Sequence, residues 1–128
     1  MKLVVVAVID VLAVLVFAVV GRASHQEDDV LLGILVTAWP FLVGSVVGAV
    51  LSRVFAPRYG DLADVRSGGL VWSCALVIGM VLRAVSGRGI AMTFIVVAAV
   101  ALAVLLLGWR AGYAAVRRVR SPPANQAG

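Results

Sequence analysis

The sequence has little charge, a single cysteine and a single histidine. Only 13% of its 128 residues are charged, whereas 63% are hydrophobic. A soluble domain has about 45–50% apolar and about 25% charged residues, because most residues of a small globule face water. The shortage of polar residues excludes a soluble enzyme, a disordered chain or a nucleic-acid-binding module as the main body. With Cys74 alone, no disulfide forms within the chain.

The side-chain sets that catalysis or metal binding requires are also missing. The sequence contains no Ser/His/Asp set, no paired histidines, no glycine-rich phosphate loop and no cysteine cluster. The pair His25-x-Glu27 is too sparse to hold a metal ion, and one histidine supplies only one axial haem ligand per chain. We therefore expect no enzymatic activity, no metal and no cofactor.

Long hydrophobic runs dominate the chain. Runs 30–52 and 89–109 carry no charge, run 3–21 carries only Asp10, and a shorter run from residue 67 ends at Arg83. About 20 helical residues cross the hydrocarbon core of a bilayer, and the third run is long enough if Arg83 extends its guanidinium to the headgroups. The runs lack the alternation of membrane strands. The sequence predicts an all-α integral membrane four-helix bundle with spans at about 3–21, 30–52, 67–86 and 89–112.

The distribution of basic residues predicts the orientation. With four crossings, one side of the membrane holds eight Lys and Arg residues and the other side three. The eight are Lys2, Arg53, Arg58, Arg66, Arg110, Arg117, Arg118 and Arg120. The positive-inside rule places both termini in the cytoplasm, which explains the net charge of +5 without a nucleic-acid partner. We expect a multi-pass protein of the cytoplasmic membrane, with a four-span domain at 1–116 and a disordered cytoplasmic tail at 117–128.

Pairs of small residues mark the faces on which the helices are expected to pack. A spacing of four residues places two small side chains on one face, so helix backbones can approach closely. These faces fit packing within one bundle, and they also fit contact with a second copy or with another membrane protein. The pairs are Gly44 and Gly48 in span two, Ala75 and Gly79 in span three, and Gly108 and Gly112 in span four.

Asp10 is the most informative polar residue, since it lies roughly 10 Å inside the cytoplasmic edge of span one. Ser45 and Ser73 fall near the same depth and Arg110 can reach toward it, which predicts a thin intramembrane polar layer. An intramembrane carboxylate can couple proton release to the binding of a cation. The alternative is a structural hydrogen bond or an ion pair between Asp10 and Arg110.

Two further groups of residues are candidates for a site. Arg22, His25 and Arg83 gather near the outer face, where they either bind an anionic group or anchor the helices at the headgroups. In span two, Pro40 is expected to kink the helix. Thr37 and Trp39 beside it either pack at the kink or line a cavity.

Five segments resemble the family catalogued as domain of unknown function 3054, small integral membrane proteins of prokaryotes. They are Gly21-Arg22-Ala23-Ser24-His25, Thr37-Ala38-Trp39-Pro40-Phe41, Val71-Trp72, Gly79-Met80-Val81-Leu82-Arg83 and Gly108-Trp109-Arg110. The resemblance covers about residues 5–112 and brings no established activity with it. The architecture is also similar to that of small multidrug-resistance transporters, four-helix dimers with a carboxylate in the first span, although here the carboxylate is an aspartate.

The sequence favours a function in packing over a function in chemistry. We expect an accessory or assembly protein that packs with other membrane subunits, with the lipid bilayer and either a homodimer mate or another membrane protein as partners. The alternative is a dimeric proton-coupled transporter of small molecules that uses Asp10.

Overall fold

The structure is a computed structural model that describes residues 2–23, 30–55, 61–88 and 92–120. The described residues are helical, with no strand among them. Helix α1 spans Leu3–Ala23, α2 spans Val30–Val54 and α3 spans Val65–Val85. The fourth span runs over Met92–Arg120 and consists of α4 (Met92–Leu102), a π-helical segment (Ala103–Leu107) and α5 (Gly108–Arg120). Four helices are therefore long and apolar enough to cross a bilayer, as the sequence predicted.

The helices pack in a closed ring in which each contacts its neighbours in the chain and α1 also contacts the fourth span. Neighbouring spans are antiparallel, as short connections require. The connection after α3 turns at Gly87, whose φ of +86° is ordinary for glycine and strained for other residues. There the N–H of Arg88 donates to the carbonyl of Arg83 at 3.0 Å, closing the helix end.

The closest helix pair is α2 against α3, because glycines on α2 remove the side chains that would separate the two backbones. A Cβ atom built on Gly44 would lie 2.6 Å from the carbonyl oxygen of Cys74. A Cβ on Gly48 would lie 2.7 Å from the Cα of Val71. The Gly44 and Gly48 face therefore packs within the bundle, against the face of α3 that carries the fully buried Ala75.

One half of the bundle is filled by an aromatic layer. The ring centroids of Phe17 on α1 and Phe41 on α2 are 5.1 Å apart in an edge-to-face arrangement, and Phe94 on α4 lies 6.3 Å from Phe41. Gly79 on α3 faces the ring of Phe41 so closely that an added Cβ would overlap it. The guanidinium carbon of Arg83 lies 4.1 Å from the Phe94 centroid, so all four spans contribute to this layer.

The outer surface of the spans is apolar. Val4, Leu31, Val77 and Val96 are each more than half exposed within the protein, and many other valines and leucines are exposed in the same way. A water-facing surface would not carry so many large aliphatic side chains, whereas hydrocarbon accepts them.

The fourth span is longer than the sequence predicted. It stays helical to Arg120, whereas we expected a disordered tail to begin at residue 117, and residues 121–128 lie outside the described part. The guanidinium carbon of Arg117 lies 5.6 Å from the ring centroid of Tyr113, one turn earlier. The basic residues in the last turn also complement the helix dipole. These two effects support the extra helical turn.

Candidate functional site

The centre of the other half of the bundle is an ion pair between Asp10 on α1 and Arg110 on α5. The guanidinium donates two parallel hydrogen bonds to the carboxylate, from Nη1 to Oδ1 at 2.9 Å and from Nη2 to Oδ2 at 2.8 Å. The Arg110 side chain is fully buried and the Asp10 side chain is 6% exposed. Such a bidentate contact fixes both distance and orientation, so the first and fourth spans are tied together at this level.

Arg110 also binds two backbone carbonyls. Its Nε–H donates to the carbonyl of Leu62 at 3.0 Å, and Nη1 donates to the carbonyl of Leu106 at 3.0 Å. Of the five N–H groups of a guanidinium, four thus have acceptors in the described part of the chain. Through Leu62, the same side chain holds the connection between α2 and α3 against the end of the bundle.

Trp109 completes the shell around the carboxylate. Its indole Nε1–H donates to Oδ1 of Asp10 at 3.0 Å, and its ring lies 4.6 Å from the guanidinium carbon of Arg110. Asp10 therefore accepts three hydrogen bonds, one of which was not expected from the sequence. The sequence signal for this hydrogen bond was the position of Trp109 directly before Arg110.

The π-helical segment over Ala103–Leu107 brings Arg110 to the inside of the bundle. The buried residues of the fourth span are Ala98, Leu102, Leu106 and Arg110, spaced by four. In a regular α-helix a spacing of four turns the face by about 40° per step, so Arg110 would lie about 120° from Ala98. The wider turn of a π-helix reduces this drift. A sequence periodicity of 3.6 could not anticipate it.

Gly68, in the first turns of α3, provides the space for the arginine. A Cβ built on Gly68 would overlap Cδ of Arg110 and would lie 2.9 Å from Cδ2 of Leu107. The adjacent Gly69 has nothing within 4 Å of such an atom. Gly68 is therefore part of the site, and the glycine pair near a helix start was its only sequence signal.

The connection between α2 and α3 is partly built into the bundle. Leu62 is 3% exposed and its neighbour Ala63 is 2% exposed. The turn is held locally, since Asp64 Oδ2 accepts the N–H of Asp61 at 3.0 Å and Ser67 Oγ donates to the Asp61 carbonyl at 2.8 Å. The turn presents the Leu62 carbonyl to Arg110.

Ser45 and Ser73 do not join the polar layer that we expected around Asp10. Ser45 Oγ is buried and donates to the carbonyl of Phe41 in its own helix at 2.8 Å. Ser73 Oγ is exposed and donates to the carbonyl of Gly69 at 2.8 Å. Each hydroxyl thus donates to the backbone carbonyl four residues earlier in its own helix, as serine commonly does in apolar helices. The polar layer consists instead of Asp10 and Arg110 with the indole described above.

The structure describes only part of the predicted outer-face cluster. Arg83 is half-buried, and its guanidinium carbon lies over the ring of Phe94 in the aromatic layer. His25 lies outside the described residues, and so does the side chain of Arg22.

The residues around the proline in α2 are divided between two faces. Helix α2 continues without interruption through Pro40, which is buried together with Thr37. Trp39 is 40% exposed and points to the outer surface. Of the two interpretations given above, Trp39 therefore does not line an interior cavity.

The small residues of the fourth span also differ from those of α2 and α3. Gly108 and Gly112 are exposed, and a Cβ built on either has no atom within 4 Å. Packing of this pair within the bundle is thus excluded for the described residues. The turn of the helix that places Arg110 inside leaves these two glycines outside.

In chemical terms, the site is a satisfied ion pair. The carboxylate is bound on both oxygens, and the part of the chain that the structure describes holds no group of three or more metal-ligating side chains. Through these hydrogen bonds the pair links α1, α5 and the turn at Leu62.

Comparison with known proteins provides a family. No curated protein and no solved structure matches the chain significantly. One family model matches residues 7–113, a range that contains Asp10, the turn at Leu62, Gly68 and Arg110. The chain therefore belongs to the family described as protein of unknown function (DUF3054).

Proposed function

We propose that the protein is an accessory or assembly subunit that packs against other proteins in the membrane. The observation that carries the proposal is the state of Asp10, whose carboxylate is held inside the bundle by Arg110 and Trp109. The one intramembrane carboxylate of the described residues is thus used for internal structure. The proposal assigns no enzymatic activity to the chain.

The exposed glycines of the fourth span indicate where such a partner would pack. Gly108 and Gly112 lie one turn apart on an outer face with open space above both. In a bilayer, helices associate where small residues allow backbones to approach, because apolar side chains alone give no preference for protein over lipid. This face fits a transmembrane helix of another subunit or of a second copy.

The proposal includes residence in the cytoplasmic membrane with both termini in the cytoplasm. Its support is the excess of Lys and Arg at the end of the bundle that carries both termini. Cysteine labelling from outside the cell at position 86, in the turn after α3, tests the orientation in a Cys74→Ser background. Labelling of Ser86→Cys in intact cells is expected, whereas labelling of Arg120→Cys instead would reverse the assignment.

The test of the accessory role is capture of the tagged protein from its own membranes in mild detergent, with the mass of the eluted species measured. We expect a complex of fixed stoichiometry with another membrane protein. The double variant Gly108→Leu/Gly112→Leu should lose that partner. The control Val100→Leu/Val104→Leu adds bulk to exposed positions of the same span and should retain it. Elution as a homodimer without a partner would contradict the accessory role.

The alternative is a dimeric proton-coupled transporter centred on Asp10. It requires the carboxylate to leave Arg110 during each cycle, so that a proton or a cation takes the place of the guanidinium. Asp10→Asn would then abolish a pH-dependent ligand response in a protein that still folds. A ligand response that Asp10→Asn leaves unchanged would remove this alternative.

A further inference from the structure

A groove of about 480 Å³ opens at the end of the bundle that carries the ion pair, between the start of α1 and the end of α2. Its described walls are aliphatic, with Leu62 of the α2–α3 connection at one end, and Arg53 is the one charged residue among the described lining residues. The lining residues are Leu3, Ala7, Ala49, Val50, Arg53, Val54 and Leu62.

The packing of the bundle explains why this seam is open. Gly44 and Gly48 draw α2 onto α3, while Asp10 and Arg110 draw α1 toward the fourth span. Both close contacts lie away from the seam between α1 and α2. The facing residues there are small at Ala7 and Ala49, so the two helices leave space between them.

The charges around the groove favour an anionic occupant. Arg53 is exposed in the last turn of α2 and forms no ion pair within the described part of the chain, and Lys2 directly precedes the lining residue Leu3. The nearby carboxylates of Asp61 and Asp64 accept backbone N–H groups of their own turn. None of the lining residues that the structure describes is acidic, so none of them offsets the arginine.

The size of the groove distinguishes a lipid chain from a helix. The lining residues cover 3–7 on α1 and 49–54 on α2, which is roughly 6–8 Å of each helix axis. A helix–helix interface extends over several turns, and a stable protein interface buries on the order of 1,000 Å² or more. An aliphatic slot of little more than one helical turn, with Arg53 at its end, instead fits an amphiphile with a hydrocarbon chain and an anionic head.

We propose that this groove binds one anionic phospholipid, with an acyl chain against Ala7 and Ala49 and the phosphate paired with Arg53. The inference rests on the membrane residence proposed above and is independent of the accessory role, because it is tested on the purified protein. A cation near an anionic lipid surface contributes about a fivefold gain in binding. The groove therefore selects for a charged headgroup as well as for a chain.

The experiment is native mass spectrometry of the full-length protein, delipidated in detergent and titrated with phosphatidylglycerol or phosphatidylcholine of identical chains. We expect one phosphatidylglycerol per protein and about fivefold weaker binding of phosphatidylcholine. Arg53→Gln should remove this preference, whereas the control Arg120→Gln, a basic residue outside the groove, should keep it. Ala49→Leu fills the groove from a partly exposed position and should weaken both lipids together.

Three outcomes would overturn the assignment. Retention of the headgroup preference in Arg53→Gln would show that Arg53 does not bind the phosphate. Equal losses in Arg53→Gln and Arg120→Gln would indicate a general effect of positive charge. A dimer that takes up lipid only after it dissociates would assign the groove to a second copy. Recovery of the protein from the soluble fraction would instead contradict the membrane residence itself.

Discussion

Replacing Asp10 by asparagine is expected to destabilise the protein by about 3–5 kcal/mol. The asparagine keeps one acceptor oxygen but loses the negative charge and the 2.8 Å hydrogen bond that Oδ2 accepts from Arg110. Arg110 is fully buried, so in this variant its guanidinium lacks the carboxylate that compensates its charge in the wild type. The loss is a large share of an ordinary unfolding free energy of about 5–15 kcal/mol.

A second variant separates the cost of leaving one buried charge unpaired from the cost of losing the hydrogen bonds of the pair. In Asp10→Leu/Arg110→Met both charges are removed together, and replacement of a buried pair by apolar residues of similar volume is often neutral or stabilising by about 1–4 kcal/mol. The indole of Trp109 and the carbonyl of Leu62 lose their partners at a cost of about 1–3 kcal/mol each. We expect the double variant to be more stable than Asp10→Asn.

The assay is equilibrium unfolding in mixed micelles with increasing SDS, followed by tryptophan fluorescence and circular dichroism. The matched control is Asp64→Asn, a partly exposed carboxylate that accepts a single backbone hydrogen bond and should cost less than about 1 kcal/mol. An unfolding free energy of Asp10→Asn within about 1 kcal/mol of the wild type would contradict the cost assigned to the uncompensated charge. A double variant less stable than Asp10→Asn would contradict it as well.

Three further predictions concern the neighbours of the ion pair and the α2–α3 contact, and they are checked by the same unfolding assay. Gly68→Ala should destabilise the protein by about 1–3 kcal/mol, since the new methyl group overlaps Arg110. The control Gly69→Ala should be neutral or stabilising, because the surroundings of Gly69 are open. Equal effects of the two substitutions would contradict the close contact between Gly68 and Arg110. Gly44→Ala should destabilise by a similar amount, through separation of α2 from α3. Trp109→Phe should cost about 1.5–3 kcal/mol, as it removes the N–H bonded to the buried carboxylate and keeps a ring; no change would show that this bond is not formed.

The four spans were predictable from the sequence because a bilayer imposes a length and a polarity on any helix that crosses it. The third and fourth spans show the limits of that reasoning at their ends. Helix α3 begins at Val65 and the fourth span continues to Arg120, because local contacts outside the apolar run set the boundaries.

The site was predictable in part. Depth alone suggested that Arg110 could reach Asp10, and the structure brings the two into contact. Depth does not give the direction in which a side chain points, so Ser45 and Ser73 were wrongly grouped with them. The facing direction of the fourth span depends on one π-helical turn, and a pattern based on 3.6 residues per turn does not contain it.

Backbone groups were the other part of the site that the sequence did not show. The carbonyl of Leu62 binds Arg110 although any residue at that position would present the same group. Gly68 acts through the absence of a side chain, which becomes meaningful only when the neighbouring helix is in place. Such contributions depend on tertiary packing, and residue type alone does not identify them.

The most direct test removes the ion pair between Asp10 and Arg110 and measures whether the protein still binds its partner. The double variant Asp10→Leu/Arg110→Met and the wild type are captured from their own membranes in mild detergent, and the masses of the eluted complexes are compared. If the pair only holds the bundle together, the folded variant carries the same partner in the same stoichiometry. A folded variant that loses the partner, or carries it in another stoichiometry, would contradict the account, because the ion pair would then act in the binding of the partner as well as inside the bundle.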